Sequence, residues 1–343
     1  MIYFDSDYMA GAHPKVMERL CATNTEQTTG YGTDAYTAKA AELIREACGR
    51  PDARVHFLVG GTQANATVTD GLLARHEGVL AAETGHINVH ESGAIEATGH
   101  KVLTLTSYQG KVNAADVKDY ITEFYKDETY EHMVAPGMLY ISFPTEYGTV
   151  YSLQELEDIS RVCHEAGIPL FIDGARLAYG LAAEGNDVTI KDIARIADVF
   201  YIGGTKVGAL FGEAVVITDP SLLKHFTPLV KQHGALLAKG RLLGLQFEAL
   251  FTDGLYFQIG EETVRKAVRL RNIFEDNGFK AAMDSPTNQQ FFILPNDIID
   301  ALKKNVSFEM WGPRGEKEST VRFVTGWSTA DEDIEMLDSY LKR

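Results

Sequence analysis

Short apolar runs separated by longer stretches of helical spacing set the frame of this chain. The runs lie at residues 55–59, 78–82, 101–105, 138–142, 169–173, 194–202 and 213–217. Runs apolar on both faces are what strands buried within a parallel sheet require. Between them, residues 34–48 are rich in strong helix formers. Ser152-Leu-Gln-Glu155 has the form of a capping box and opens an amphipathic stretch through His164, which ends at Gly167 just before the next run. Strands alternating with helices predict an α/β fold with a mainly parallel central sheet, whose binding crevice lies at the carboxyl ends of the strands.

The pattern then changes. Residues 222–275 read as helical, and 291–294, 306–310 and 320–325 read as a smaller antiparallel sheet, closed by a helix over 329–341. The spacing predicts a large α/β domain over residues 1–250, including an N-terminal segment 1–20, and a small C-terminal α+β domain over 251–343. At 343 residues the chain has room for both.

Charge and cysteine content narrow the function classes. A formal net charge of −16 argues against a nucleic-acid or anionic-membrane partner. The three cysteines, Cys21, Cys48 and Cys163, are far apart and form no CxxC, as reduced thiols in a cytoplasmic protein would be. No run approaches the ~20 apolar residues that span a bilayer, and no basic N-terminal region leads into a long apolar segment. A cytoplasmic location is the expectation.

Three strand ends carry the candidate chemistry. Leu170-Phe-Ile-Asp-Gly-Ala-Arg176 delivers Asp173 and Arg176, and Asp198-Val-Phe-Tyr-Ile-Gly-Gly-Thr-Lys206 delivers a lysine among glycines. An apolar approach with Gly203, Gly204 and Gly208 alongside favours a recessed amine of depressed pKa, though most loop lysines are simply solvated. A lysine and an aspartate at neighbouring strand ends suit pyridoxal 5′-phosphate (PLP): the amine bonds to the aldehyde and the carboxylate pairs with the pyridinium nitrogen. Alternatively, Asp173 and Arg176 form a local ion pair. Gly60-Gly-Thr-Gln-Ala-Asn65, at a strand-to-helix turn, offers Gly61 and Thr62 to a phosphate, or is only a turn. His86 could stack on a flat cofactor; with His90 and Glu91 it could also hold zinc. The order of the HExxH motif is absent and no third ligand is evident, so no metal is expected.

Together these residues resemble the threonine aldolase and β-eliminating lyase family of fold-type-I PLP enzymes. Asp173-Gly-Ala-Arg176 is the most specific match, and Ser6-Asp7, Gly30-Tyr-Gly-Thr-Asp34, Gly61-Thr62 with Asn65, His86 and Arg322 follow in the same order. The resemblance implies a fold-type-I transferase-like architecture with PLP as cofactor. It implies that Lys206 is the Schiff-base lysine, that His86 stacks on the ring, and that Asp173 holds the pyridine nitrogen. Gly61, Thr62 and, from a neighbouring subunit, Lys239 would hold the phosphate. Ser6, Tyr31, Glu146, Arg176 and Arg322 would meet the substrate, and Arg176 would also meet the cofactor. The chain departs from the family at Glu146, where threonine aldolases often carry a histidine near the substrate hydroxyl, and in Gly-Thr-Lys-Val-Gly around Lys206.

The activity implied is retro-aldol cleavage of an L-β-hydroxy-α-amino acid to glycine and an aldehyde, with His86 or a water near Glu146 as base. The alternatives are β-elimination or transamination on the same fold, and a catalytically inactive amino-acid-binding homologue. A homodimer or homotetramer with active sites at the subunit interface is implied as well.

Overall fold

The computed structural model describes residues 1–342. The chain opens with a two-residue strand, β1 (Ile2–Tyr3), and then builds the strands of its large sheet: β2 (Arg54–Leu58), β3 (Glu77–Ala82), β4 (Val102–Leu105), β5 (Ala135–Ser142), β6 (Leu170–Asp173), β7 (Val199–Gly203) and β8 (Glu213–Ile217). Their spatial order is β2-β8-β7-β6-β5-β3-β4. All adjacent pairs are parallel except the two involving β8, which runs against β2 on one side and β7 on the other. The antiparallel β8 therefore begins at the edge where its neighbours end.

Both faces of this sheet are covered, which explains why its strands are continuous apolar runs. In β5, Leu139 and Ile141 enter one core while Met138 and Tyr140 enter the other; in β7, Phe200 and Ile202 oppose Val199 and Tyr201. Helix Ala35–Cys48 starts on Asp34, whose side chain accepts from the Thr37 amide, and ends on Gly49 in the left-handed region. Helix Leu153–Glu165 carries the full capping box expected of Ser152 and Glu155.

Two expectations change in detail. The run at 194–202 is strand only from Val199; Ile190–Ile196 is a helix instead, started by a Thr189–Asp192 capping box and burying Ile190, Ile193, Ala194 and Ile196. A short apolar run does not itself distinguish a buried helix from a buried strand, and here the cap decides. The run at 306–310 splits between two sheets. Its first half is β11 (Val306–Ser307), parallel to β1, and its second is β12 (Glu309–Met310). With β9 (Lys280–Ala281), β10 (Gln289–Pro295) and β13 (Glu318–Val324), it forms an antiparallel sheet ordered β12-β13-β10-β9.

The cores do not divide at residue 250. Helix Leu255–Asp276 contributes Leu255, Tyr256, Ile259 and Val264 to the large core, and Leu270 and Phe274 to the small one. The change of core thus falls within a single helix. Ile2 and Phe4, expected with the large domain, are buried in the small core. Among the described residues no helix is long and apolar enough to cross a membrane.

The small core centres on Phe274, which stacks on Phe292 with ring centroids 4.0 Å apart and lies 4.9 Å from Phe323. Phe274→Ala is expected to lower the unfolding free energy by about 3–5 kcal/mol in a urea titration, because a ring-sized cavity replaces these contacts.

Candidate active site

The exits of β6 and β7 press together. The Gly203 amide donates to the Gly174 carbonyl at 2.9 Å. A Cβ on Gly174 would stand 2.0 Å from the Tyr201 carbonyl oxygen, and one on Gly203 would stand 2.2 Å from that of Ala175. Only glycine fits at either place. This contact brings Asp173, Arg176 and Lys206 to one cleft of about 550 Å³, which Gly60, Gly61, Thr62, His86, Glu146 and Arg322 also line.

At one end, β2 runs into Gly60, the N-cap of helix Gly61–Leu72. The first amides of this helix have no partners within it and face an anion favourably. A Cβ on Gly61 would lie 3.1 Å from the Tyr201 hydroxyl, so the turn leaves its backbone bare there. Asn65, in the same motif as Gly61 and Thr62, is fully buried. Its Nδ2 donates to Glu91 Oε1 at 2.8 Å and to Asp173 Oδ2 at 3.2 Å.

Asp173 closes the floor. Its Oδ2 also accepts from the Tyr140 hydroxyl at 2.5 Å, and Oδ1 accepts from the Ala175 amide at 2.9 Å. These donors fix the orientation of the carboxylate. His86 Nδ1 lies 2.7 Å from Glu91 Oε1, so one chain of contacts joins His86, Glu91, Asn65, Asp173 and Tyr140. Burial pulls the His86 pKa down, but the Glu91 hydrogen bond and the charges of Glu146 and Asp173 outweigh it and leave it raised.

The Lys206 amine makes no hydrogen bond or ion pair among the described residues. Burial, followed by the like charge of Arg176, lowers its pKa against the opposing pull of Asp7, Glu146 and Asp173. An unpartnered amine of reduced basicity is a ready nucleophile. The amine, the Asp173 carboxylate, His86 and the bare helix start fit a planar pyridine aldehyde carrying a phosphate.

Arg176 does not pair with Asp173. Its Nε and Nη2 donate to Asp7 at 2.7 and 3.1 Å, a buried bidentate pair. Asp7 is further fixed by Asn288 Nδ2 at 2.8 Å. Burial acts to raise the Asp7 pKa, yet Arg176 and Lys206 hold it below the usual value. Arg322 donates to Gln289 Oε1 at 2.8 Å and to Glu309, and lies over Trp311. Burial and the charge of Arg176 lower its pKa. Both guanidinium groups are therefore held in place by carboxylates. The Glu146 carboxylate, half-buried in the cleft, makes no hydrogen bond or ion pair among the described residues.

Three expected residues do not line this cleft. Ser6 is buried beside Asp7. Tyr31 is half exposed with positive φ, and Lys239 is exposed. The last two lie on touching loops: the Tyr31 amide donates to the Ala238 carbonyl at 3.0 Å. Asp7, Tyr140 and Glu213 are not among the expected site residues, and Glu91 is expected only as an alternative zinc ligand with His86 and His90. Of these, Asp7 had a signal, since it adjoins Ser6 in a motif.

The sequence profile described as beta-eliminating lyase matches residues 4–291. The chain belongs to the beta-eliminating lyase family. It is 29% identical over 337 residues to the low specificity L-threonine aldolase of Pseudomonas aeruginosa, covering 97% of this chain and 95% of that one. The solved structure of Leishmania major threonine aldolase superposes with a TM-score of 0.97 at 44% identity, over 100% of this chain and 99% of that one. A Thermus thermophilus aspartate aminotransferase variant, at 15% identity, shares the fold with a TM-score of 0.71 over 99% of this chain and 90% of its own. The architecture is thus that of the fold-type-I enzymes.

Removing the carboxylate behind Arg176 would strand a buried charge. Asp7→Ala is expected to lower the unfolding free energy by about 3–5 kcal/mol in urea and to raise KM for a carboxylate substrate.

Proposed function

We propose that the protein is a PLP-dependent aldolase that cleaves an L-β-hydroxy-α-amino acid, threonine or allo-threonine-like, into glycine and an aldehyde. The observation that carries this is the unpartnered Lys206 amine set in one cleft with the Asp173 carboxylate. Gly61 and Thr62, with Lys239 of a second copy, would hold the phosphate, His86 the ring face and Asp173 the pyridine nitrogen. Bound there, PLP supplies an aldehyde carbon for an amine and a protonated ring that accepts the electron pair of the broken Cα–Cβ bond.

The chain's own groups do the rest. Asp173, held in place by its donors, would pair with the ring nitrogen and favour its protonated form. Arg176 and Arg322, each braced by a carboxylate, grip the substrate carboxylate and fix the orientation of Cα. Arg176 has its Nη1 side left for this after Asp7 takes Nε and Nη2. His86, oriented through Nδ1 by Glu91, keeps Nε2 to accept the β-hydroxyl proton; Glu146 offers a second acceptor through a water.

The reading includes a homodimer or homotetramer. The touching loops that carry Tyr31 and Lys239 lie outside their own cleft, and in this reading they complete the cleft of a second copy. The ligand is a small amino acid, and no nucleic acid or membrane is a partner.

A panel of amino acids on PLP-loaded protein tests the activity. Release of glycine plus an aldehyde from threonine supports the aldolase; pyruvate with ammonia would place the protein with the β-eliminating enzymes, and keto-acid exchange with the aminotransferases. Lys206→Ala is expected to lose turnover by at least about 10³-fold, together with the visible absorbance of bound PLP. Borohydride trapping of PLP on another lysine would remove Lys206 from its role.

A further inference from the structure

Glu213 is a carboxyl group that the proposed reaction does not use, yet it lines the cleft. Its position follows from the sheet. Because β8 runs antiparallel to its neighbours, its first residue pairs with the last residues of both: Glu213 stands opposite Leu58 of β2 and Gly203 of β7. It therefore lies between the strand that leads into the Gly60–Thr62 turn and the strand that leads to Lys206. It is 3% exposed and has no ion pair among the described residues. Only neutral donors meet it: the Gly204 amide donates to Oε2 at 3.1 Å and the Thr205 hydroxyl to Oε1 at 2.8 Å. A buried carboxylate beside an intended phosphate, with no cation of its own, is costly unless it holds a proton.

We propose that Glu213 is a positioning residue that sets the grip on the cofactor phosphate through its own protonation. As the neutral acid, its O–H donates to Thr205 Oγ1 and leaves the threonine hydroxyl free to donate to the phosphate. As the carboxylate, having lost that proton to solvent, it takes the threonine hydroxyl back and repels the anion. The Gly204 amide serves the other oxygen in both states. This rests on the reading of the cleft as a PLP site.

The electrostatics agree in direction. Burial pushes the Glu213 pKa up to about 8; the Thr205 and Gly204 hydrogen bonds and the charge of Lys206 oppose this, and Asp173 adds to it. The other titratable groups that feel its charge are Tyr201 on β7 and Tyr256 on helix Leu255–Asp276, whose pKa values burial raises first. A group with a raised folded-state pKa keeps its proton below that value and loses it above, so phosphate affinity is present at neutral pH and falls as pH rises beyond about 8.

The test uses pyridoxine 5′-phosphate, an alcohol that cannot bond to Lys206, and pyridoxine, which lacks the phosphate. Calorimetric titrations between about pH 7 and 9.5 stay above the second phosphate pKa of about 6. For the wild-type protein the phosphate ligand is expected to weaken about tenfold across this range and pyridoxine far less. Glu213→Gln, whose amide donates at every pH, should hold the phosphate ligand as well at the alkaline end of the range as at the neutral end. Parallel loss in the wild-type protein and in the Glu213→Gln variant would overturn the proposal. Should the variant fail to fold, equal pH dependence of the two ligands on the wild-type protein overturns it instead. Borohydride trapping of PLP, mapped by peptide mass, separates the two readings. Without an adduct on Lys206 the PLP site itself fails; with an adduct and parallel curves, only the role of Glu213 does.

Discussion

The close approach of two strand exits underlies this site. Asp173 and Lys206 sit 33 positions apart in sequence, and they share a cleft because Gly174 and Gly203 let the backbones of β6 and β7 touch beyond the last paired residues. A side chain at either glycine would push one exit away from the other. The separation of amine and carboxylate, on which any shared ligand depends, would then change. The rigidity of the buried sheet below gives the contact its precision, since neither strand can shift without disturbing cores on both faces.

Charges around the cleft are arranged in pairs. Arg176 and Arg322 line the cleft, Arg176 paired with the buried Asp7 and Arg322 with Glu309 on the cleft wall, and His86 is paired with Glu91. Each brace fixes a side chain that would otherwise have several rotamers, so less ordering remains to be done when a ligand binds. Asp7 does more than brace. It joins the N-terminal segment to Arg176 of the large core and to Asn288 beside the small sheet. Through Ile2 and Phe4 the same segment is buried in the small core. The position of the Arg176 guanidinium is therefore coupled to how the two cores sit against each other.

Much of the fold was legible because its signals are local. Strands buried on both faces must be apolar throughout, and helices that start on Ser152 or Asp34 carry their caps in sequence. The misreadings fall where two signals compete over a few residues. The apolar end of helix Ile190–Ile196 runs almost directly into the strand from Val199, and the Thr189–Asp192 cap and the helical spacing of Ile190, Ile193 and Ala194 mark where the helix lies. Phe308 lies between two short strands that serve different sheets, a division that no pattern within 306–310 records. The site was partly legible for a similar reason. Lys206, Asp173, His86 and Arg176 stand in short motifs, each at the end of an element.

The sequence by itself determined which chemical groups are available and on which strand ends they stand, because apolar runs and their polar terminations are properties of neighbouring residues. Partnership was decided only by tertiary structure. Nothing near Arg176 announces Asp7, 169 positions away, and nothing near Asn65 announces that it serves Asp173 and Glu91. Glu213 reads in sequence as the first residue of an ordinary strand. Its meaning comes from β8 running against its neighbours, which sets a carboxyl group at the carboxyl edge of the sheet. Such pairings depend on which elements become neighbours, and that is settled by burial of the whole core.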